Sequence, residues 1–427
     1  MTKSAGKKAA EPGPELRSVM ARGVIEIIPQ DEFVRALQSG RTLRLKLGLD
    51  PSKPDLHIGH GVLLRKLRLL QEMGHQVVLI VGDWTARIGD PSGQSIMRPM
   101  LTAEEVAANA ETYMRQFFHV VDRDKTEVRW QSEWFGGFTL ADVVRLAARF
   151  TVAQMLQRED FRQRFEAHQP LGIHELLYPL LQAYDSVAVQ SDVEFGGSDQ
   201  LFNMLVGREL QQEMGQRPQI VFTMRLLTGT DGAQKMSKST GNTIDLEDPP
   251  GEKYGKVMSI PDSALMDYLE LATDVGDEEL AYIRKQLEER SVNPMEIKKR
   301  LAREIVAMFH GEAAAREAEA AFERVIQRGG TPGEDEVTVF PFSFSRQYKA
   351  LGDNRFKMAP ILVDAGLAGS MSDARRLIDQ GAVELMVGQG NIRIGEPIWQ
   401  LRSGDTLRVG KHRFLRIVDA DRETKTS

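Results

Sequence analysis

The amino-acid sequence predicts an α/β fold, with a doubly wound parallel-sheet domain followed by an α-helical domain and a small α+β domain. The first observation is a strand–helix–strand order within forty residues, in which LRLKLGL and QVVLIVG flank the leucine-rich run VLLRKLRLLQEMG. The second is a charged, alanine-rich helical sequence between 247 and 328. The third is a series of short strand-like runs near the C-terminus, among them VELMV and DTLRVG.

Changes in composition predict the domain boundaries. Residues 1–15 lack the apolar core of a secretory signal and predict a disordered tail. We expect the doubly wound domain over 16–246, the helical domain over 247–328, a linker containing GGTPGEDE over 329–354, and the α+β unit over 355–420. In the last unit, SMSDARRLIDQG predicts a helix with Ser370 or Ser372 as its N-cap and Gly381 at its end.

The composition excludes several classes of protein. The 427 residues include no cysteine, which excludes disulfides, cysteine-ligated zinc, iron–sulfur clusters and thiol nucleophiles, and predicts a cytoplasmic location. No apolar run is long enough for a membrane-spanning helix. The net charge is −6, yet the residues from 355 onward carry 12 basic against 9 acidic side chains. A locally basic unit on an acidic chain favours an RNA partner.

Two histidines follow the first strand of the predicted sheet. His57 and His60 lie in the sequence HIGH, between the strand LRLKLGL and the helix that follows it. Ligands of open α/β sheets bind at the carboxyl ends of strands, and a helix start there favours phosphate. Gly59 between them lets a ligand approach the backbone closely. The pair therefore predicts one wall of a phosphate site; ordinary surface or capping histidines are the alternative, and no third residue nearby suggests a metal.

A second candidate phosphate site is the sequence KMSKS at 235–239, set among Gly229, Gly232 and Gly241. Glycine, serine and threonine on both sides predict a mobile surface loop. Lys235 and Lys238 could close over a triphosphate and neutralise a departing pyrophosphate. An ordinary charged loop is the alternative for a bare pair of lysines.

Together, HIGH and KMSKS resemble the two signatures of class I aminoacyl-tRNA synthetases. Both are unbroken, in the right order, and separated by the length of one α/β domain. The resemblance implies a Rossmann-like catalytic domain with His57, His60, Lys235 and Lys238 as catalytic residues. It also implies ATP as substrate, with Mg²⁺ on its phosphates, and contacts from Met236 and Ser237 to the nucleotide.

The segment HELLYPLLQAYD suggests which amino acid is bound. On a helix, Tyr178, Gln182 and Asp185 fall on one face, although Pro179 fits only a first turn or a kink. The stripe predicts either a satisfied structural network or a pocket for a small polar ligand. The segment closely resembles the tyrosine-binding helix of bacterial tyrosyl-tRNA synthetases.

That resemblance assigns further roles by position. It implies that Asp185 accepts a hydrogen bond from the substrate phenol, that Tyr178, Gln182 and Asp90 hold the α-ammonium, and that Gln200 lies near the substrate. The implied adenylate contacts are Gly48, Asp50, Ser52, Gly59, Gly197 and Asp199. Members of the family are homodimers that transfer tyrosine to tRNA(Tyr) through a tyrosyl-adenylate.

Lys46 departs from the family's pattern, because many relatives carry a tyrosine at this position that contacts the substrate phenol. The sequence leaves three roles open for the lysine: it could donate to the phenol oxygen, pair with Asp185 or point away. We count it as a candidate tyrosine-binding residue.

The C-terminal sequence AGLAGSMSDARRLIDQGAVELMVG resembles an S4-type RNA-binding domain, which many bacterial tyrosyl enzymes carry. The candidate phosphate contacts to tRNA are Arg375, Arg376, Lys411, Arg413 and Arg416. The rival interpretations are a class I ligase for tryptophan, a nucleotidylyltransferase that uses the same histidines, and a non-catalytic RNA-binding regulator derived from a synthetase. Asp185, the S4-like sequence and the intact signatures argue against them.

Overall fold

The computed structural model describes residues 13–92, 100–238, 240–327, 337–342, 355–387, 390–410 and 413–420. The chain divides into two compact units, the first made of Met1–Glu247 with Ser263–Arg284 and the second of Asp248–Asp262 with Lys285–Ser427. The predicted tail of 1–15 lies outside the described residues, apart from its end, where the first helix begins at Pro14.

Strands and helices alternate along most of the first unit. Up to the last strand of its sheet they are α1 (Pro14–Ala21), β1 (Val24–Ile28), α2 (Gln30–Gln38), β2 (Arg44–Leu49), α3 (Ile58–Glu72), β3 (Gln76–Val81), α4 (Thr85–Ile88), α5 (Ala103–Phe117), β4 (Thr126–Trp130), α6 (Ser132–Phe135), α7 (Leu140–Ala147), α8 (Val152–Met155), α9 (Glu159–Glu166), α10 (Ile173–Ala188), β5 (Val193–Gly197), α11 (Leu201–Glu213) and β6 (Ile220–Met224).

These strands form one six-stranded sheet in the order β1-β6-β5-β2-β3-β4. The pairs from β6 to β4 are parallel, as predicted, whereas β1 lies antiparallel to β6 at the edge. From β2 the chain continues to β3 on one side, and from β5 it continues to β6 on the other side. The strand order therefore reverses between β2 and β5. In such sheets the ligand crevice opens at the carboxyl ends of these two strands.

The first strand–helix–strand unit follows from simple patterning. Five of the six residues of β3 are buried, as expected for an apolar strand inside a parallel sheet. On α3, Leu64, Leu67 and Leu70 recur at helical spacing and are buried against the sheet. The helix ends before Gly74, whose φ of +95° is one that glycine adopts without strain.

The helical region begins with α12 (Pro250–Met258), α13 (Leu265–Ala272), α14 (Asp277–Glu288) and α15 (Pro294–Phe322, broken at Gly311). Residues 263–284 group with the first unit, whereas the sequence placed them in the helical domain. Arg22 and Arg65 donate to carbonyl groups in the last turn of α13, at 2.7 Å to Glu270 O and 3.2 Å to Leu271 O. These carbonyls have no partner within the helix.

The C-terminal part of the second unit contains β7 (Thr338–Phe342), β8 (Arg355–Lys357), α16 (Met358–Asp364), α17 (Met371–Asp379), β9 (Val383–Val387), β10 (Gly390–Arg393), β11 (Ile398–Gln400), β12 (Thr406–Val409) and β13 (Arg413–Asp419). Strand β7 lies within the predicted linker and pairs with β13 in parallel. Ser370 is the N-cap of α17. No described helix of the chain is both long enough and apolar enough to cross a membrane.

Candidate active site

The crevice at the ends of β2 and β5 gathers most of the predicted site residues of the first unit. Asp50 and Ser52 follow β2, and Asp199 follows β5. Gly48 faces open space, since an added Cβ would meet nothing within 4 Å. At Gly197 an added Cβ would lie 2.4 Å from Cδ2 of Leu226, so a larger residue there would have to displace that side chain.

His57 and His60 occupy the N-terminus of α3, as predicted. His57 is the N-cap, and its backbone N–H donates to Nδ1 of His60 at 3.2 Å, which leaves the ring proton of neutral His60 on Nε2. Burial, aided by the charge of Lys238, lowers the pKa of His60 to about 4. Burial and His60 hold the pKa of His57 well below its usual value. Both rings are therefore neutral hydrogen-bond donors at pH 7 rather than positive charges.

Gly59 lies against the ring of His57. An added Cβ would come within 2.9 Å of Nδ1 of His57. That nitrogen is buried and has no hydrogen-bond partner among the described residues.

The segment that follows the lysine loop is joined to the histidine turn by backbone hydrogen bonds. Ile58 N–H donates to Ile244 O at 2.9 Å, and Leu246 N–H donates to Leu56 O at 2.8 Å. These bonds bring together two segments that are almost 190 residues apart in the sequence. A Cβ added to Gly59 would lie 3.6 Å from Cβ of Met236, so HIGH lies beside the described residues of KMSKS; Ser239 lies outside them.

Both lysines of the loop are paired with aspartates. Lys235 Nζ lies 2.8 Å from Asp199 Oδ2, and Lys238 Nζ lies 2.8 Å from Asp55 Oδ2 and 3.6 Å from Asp245 Oδ2. Met236 between them is buried, and Ser237 N–H donates to Asn242 Oδ1 at 2.8 Å.

Tyr178, Gln182 and Asp185 lie on α10, which begins earlier than Tyr178 and includes Pro179. The Tyr178 hydroxyl donates its proton to Asp50 Oδ2 at 2.7 Å, so its oxygen is free to accept a hydrogen bond. Burial between Asp50 and Asp90 holds the pKa of Tyr178 well above its usual value. The hydroxyl therefore stays protonated.

Asp185 is buried and accepts two hydrogen bonds. Gln131 Nε2 donates to Oδ2 at 2.8 Å, and Trp134 Nε1 donates to Oδ1 at 3.2 Å. Burial raises its pKa to about 7, while the positive charge of Lys46 acts in the opposite direction. The carboxyl group thus titrates near neutral pH, and its ionised form is an acceptor for a phenol.

Lys46 does not pair with Asp185, the pairing that the sequence left open. Its Nζ lies 2.9 Å from Glu194 Oε1, and it donates to Gln182 O at 2.8 Å and to Ser186 Oγ at 2.7 Å. Lys46 and Glu194 are register partners on the adjacent strands β2 and β5. Because an ammonium has three protons, these acceptors occupy every donor of Lys46.

Asp90 and Gln200, two further candidate tyrosine-binding residues, contact each other. Gln200 Nε2 donates to Asp90 Oδ2 at 2.8 Å, and Ser92 N–H donates to Asp90 Oδ1 at 2.9 Å. Asn203 Nδ2 donates to Oε1 of Gln182 and of Gln200, both at 3.0 Å. The side-chain amides of Gln200 and Asn203 therefore connect Asp90 to Gln182 on α10.

The candidate tRNA contacts lie in the second unit. Arg375 is exposed on α17. Arg376 pairs with Asp373 at 2.6 Å, and Arg413 donates to Leu367 O at 2.8 Å. Arg416 is on β13. Lys411 lies outside the described residues.

Sequence reasoning missed five polar residues that surround the pocket: Gln131, Trp134, Arg158, Glu194 and Asn203. Gln131 and Trp134, from one short segment, contact Asp185, whereas Glu194 contacts Gln182. Asn203 contacts Gln182 and Gln200, and Arg158 contacts Asn203. These contacts are made through space and do not follow from sequence spacing. The acidic residue inside the apolar strand VEFGG was the one available signal, because a charge there must be paired.

Comparisons with known proteins agree with this geometry. The family described as tRNA synthetases class I (W and Y) matches residues 38–327. The tyrosine--tRNA ligase of Dehalococcoides mccartyi strain CBDB1 is 52% identical over 404 residues, which is 95% of this chain and 98% of that protein. The tyrosine--tRNA ligase of Thermotoga maritima is 48% identical over 405 residues, or 93% of this chain and 96% of that one.

Solved structures show the same fold at lower identity. The tyrosyl-tRNA synthetase of Archaeoglobus fulgidus, complexed with L-tyrosine, is 21% identical with a TM-score of 0.58 and covers 71% of this chain and 98% of that one. A truncated mitochondrial tyrosyl-tRNA synthetase of Aspergillus nidulans gives a TM-score of 0.61 at 21% identity, over 73% of this chain and 94% of that one.

Proposed function

The chain belongs to the tyrosine--tRNA ligases of class I, and from this premise we propose that it joins L-tyrosine to tRNA(Tyr) through a tyrosyl-adenylate, with release of pyrophosphate and AMP. The observation that carries the proposal is the junction of the histidine turn with the lysine loop, beside a pocket that ends in Asp185. Full-length identity of about half to tyrosine--tRNA ligases supports the same activity.

In the first step, the carboxylate of tyrosine attacks the α-phosphate of ATP and pyrophosphate leaves. ATP would enter as its Mg²⁺ complex, the metal being held by phosphate oxygens. His57 and His60, neutral at pH 7, would donate hydrogen bonds to the phosphates from the start of α3. Lys235 and Lys238 would move from their aspartates to the departing pyrophosphate.

The remaining residues would hold the adenylate. Gly48, Asp50, Ser52, Gly59, Gly197 and Asp199 border the crevice at the ends of β2 and β5, and Met236 with Ser237 closes it from the loop. In the second step, the tyrosyl group passes to the terminal ribose of the tRNA. No covalent bond to the enzyme is required.

Tyrosine would lie with its phenol on Asp185 and its ammonium near Asp90, Tyr178 and Gln182, with Gln200 alongside. The hydroxyl oxygen of Tyr178 and Oε1 of Gln182 are acceptors that suit an ammonium, since the hydroxyl proton of Tyr178 is donated to Asp50 and Nε2 of Gln182 points toward Glu194. A buried acceptor for the phenol also disfavours phenylalanine, which would leave Asp185 unpaired; this effect is documented for tyrosyl enzymes in general. Lys46 would affect tyrosine binding indirectly, through its contacts with Gln182 and Glu194.

The small C-terminal sheet with α16 and α17 would be an S4-like domain that binds the tRNA in the cytoplasm. Arg375, Arg376, Lys411, Arg413 and Arg416 would neutralise phosphates, and each substitution should weaken binding more at low salt than at high salt.

The enzyme would act as a homodimer. Five large apolar side chains between 140 and 173 are more than half exposed: Leu140, Val144, Val152, Phe165 and Ile173. Such a concentration is unusual for a surface that stays in water. Replacing Leu140 and Ile173 by glutamate should yield monomers in light scattering, whereas a dimer that persists would place the interface elsewhere.

Pyrophosphate exchange across the twenty amino acids tests the activity. We expect exchange with tyrosine alone, well above that with phenylalanine or tryptophan. Exchange driven by tryptophan would favour the related class I ligase. RNA binding with no exchange for any amino acid would favour a non-catalytic regulator.

A further inference from the structure

Three side-chain amides form a connected row beside the proposed tyrosine pocket. Asn203 lies in the middle, and its Nδ2 donates to Oε1 of Gln182 on one side and to Oε1 of Gln200 on the other, at 3.0 Å each. Gln182 Nε2 then donates to Glu194 Oε1 at 3.1 Å, and Gln200 Nε2 donates to Asp90 Oδ2 at 2.8 Å. Every amide in the row thus has a defined direction.

The outer ends of the row are acceptors. Glu194 and Asp90 are carboxylates, which accept hydrogen bonds and donate none when ionised. They require Nε2 of each glutamine to point outward, and therefore require each Oε1 to point toward Asn203. This arrangement is stable only if Asn203 presents its Nδ2, since two facing carbonyl oxygens would repel each other.

Arg158 fixes the direction of Asn203. Its Nη1 donates to Asn203 Oδ1 at 3.0 Å, and a guanidinium has donors but no acceptor, so Oδ1 must face it. The other two branches of the guanidinium are also occupied, with Nε donating to Asp160 Oδ1 at 2.8 Å and Nη2 to Ser92 Oγ at 2.6 Å. Nη2 also lies 3.8 Å from Asp90 Oδ1. Arg158 is 5% exposed, so these bonds form away from water.

We propose that Arg158 is a positioning residue for the amino end of the substrate, acting by setting the hydrogen-bond direction of Asn203 and so of Gln182 and Gln200. With Arg158 in place, the oxygens at this end of the pocket accept hydrogen bonds, which is what an ammonium needs. Without it, Oδ1 of Asn203 loses its donor and the amide can rotate, so that Nδ2 no longer holds Oε1 of Gln182 and of Gln200 in place. The inference rests on the proposed assignment of Asp90, Tyr178 and Gln182 to the ammonium.

The test compares L-tyrosine with 3-(4-hydroxyphenyl)propionate, which keeps the phenol and the carboxylate but lacks the amino group. Binding of both is measured by titration calorimetry to the full-length protein and to R158M. We expect R158M to weaken tyrosine binding by about tenfold to a hundredfold, the loss expected for one hydrogen bond to a charged group. Binding of the propionate should change by less than about threefold, because it makes no use of the ammonium acceptors.

Asn203→Asp supplies a second variant that keeps the shape of the side chain and its bond to Arg158. It removes both Nδ2 donors, and we expect the same selective loss for tyrosine; if R158M does not fold, this variant decides the question. Arg164→Met is the matched control. Arg164 is as buried as Arg158 and pairs with Glu175 at 2.7 Å, and no described contact joins it to the amide row. It should lower stability without changing the ratio of the two affinities.

Two failures can be told apart. If the unaltered protein binds tyrosine and the propionate equally, the assignment of the ammonium site is wrong, whatever the variants do. If the unaltered protein prefers tyrosine and both R158M and N203D weaken the two ligands by the same factor, Arg158 has only a structural role and the inference is overturned.

Discussion

The ammonium of Lys46 lies 2.9 Å from Oε1 of Glu194, and both side chains are withdrawn from solvent at the centre of the sheet. Glu194 also accepts hydrogen bonds from Ser186 and Gln219. The pair joins β2 to β5 directly beneath α10, where it contacts the backbone oxygen of Gln182. The lysine thus stabilises the position of α10, the helix that carries Gln182 and Asp185.

Removing one member of this pair should be costly. Lys46→Met leaves the Glu194 carboxylate buried without its cation, and we expect the free energy of unfolding to fall by about 3–5 kcal/mol. In K46M/E194Q no uncompensated charge remains, so the double variant should recover most of the loss. Urea titrations of the two single variants and the double variant provide the check; a double variant as unstable as the sum of the two single ones would contradict the coupling.

The same pair should influence the pH dependence of tyrosine binding. Burial raises the pKa of Asp185 to about 7, Lys46 lowers it and Glu194 raises it. The acceptor form of Asp185 is populated above its pKa, so affinity for tyrosine should rise with pH and level off above neutrality. K46M should move the midpoint of this rise to higher pH, and E194Q should move it to lower pH.

At pH 7, K46M should therefore lose tyrosine affinity while its affinity for phenylalanine is unchanged, which lowers the discrimination between the two amino acids. Titration calorimetry with both ligands from about pH 6 to about pH 9 measures the midpoints. Equal midpoints in the two variants would show that Asp185 is not the titrating group.

The sequence predicted those parts of the site that depend on local order. HIGH had to follow a strand and begin a helix, and Tyr178, Gln182 and Asp185 share a face at helical spacing, so their positions followed from periodicity. The role of Lys46 did not follow, because its partner is on a strand almost 150 residues away. The register of β2 against β5 is a tertiary property, and it decides that Lys46 meets Glu194 instead of Asp185.

Residues 263–284 differ in a related way, because the sequence assigns them to the helical domain and the structure groups them with the first unit. Residues 263–284 have the charged helical composition of the segments around them, yet they group with the first unit, where Arg22 and Arg65 donate to carbonyls in the last turn of α13. Composition describes which residues can form helices. It does not describe where the unpaired carbonyls of a helix end find their donors.

His60 should act as a neutral donor. Because its pKa is about 4, lowering the pH from about 8 to about 6 should leave its protonation unchanged, whereas a histidine of ordinary pKa near 6.5 would gain its charge over this range. His60→Ala should slow tyrosine-dependent pyrophosphate exchange by about 10²–10³-fold with little change in tyrosine affinity.

His60→Asn, whose amide can replace the N–H donor, should retain more of the rate than the alanine variant. The comparison needs exchange rates at saturating tyrosine together with the dissociation constant for tyrosine. An alanine variant with the unaltered exchange rate would exclude His60 from the reaction.

Substitutions of Lys238 and Asp55 should have opposite effects on ATP-dependent exchange, the first lowering its rate and the second lowering the KM for ATP. Lys238→Met removes a cation from the developing pyrophosphate and should lower the exchange rate by about 10²–10³-fold. Asp55→Asn removes the carboxylate that lies 2.8 Å from Lys238 Nζ and competes with phosphate for it. Since the carboxylate is partly exposed, we expect only about a twofold to fivefold decrease in the KM for ATP.

The double variant D55N/K238M shows whether Asp55 acts through Lys238. If Asp55 acts by holding Lys238, then D55N should bring no decrease in the KM for ATP when Lys238 is already methionine. If Asp55 acts instead by repelling the triphosphate, the decrease should be the same in both backgrounds. Initial rates of exchange at varied ATP, measured for the unaltered protein, both single variants and the double variant, separate these outcomes, and higher salt should diminish a repulsion at long range more than a direct ion pair.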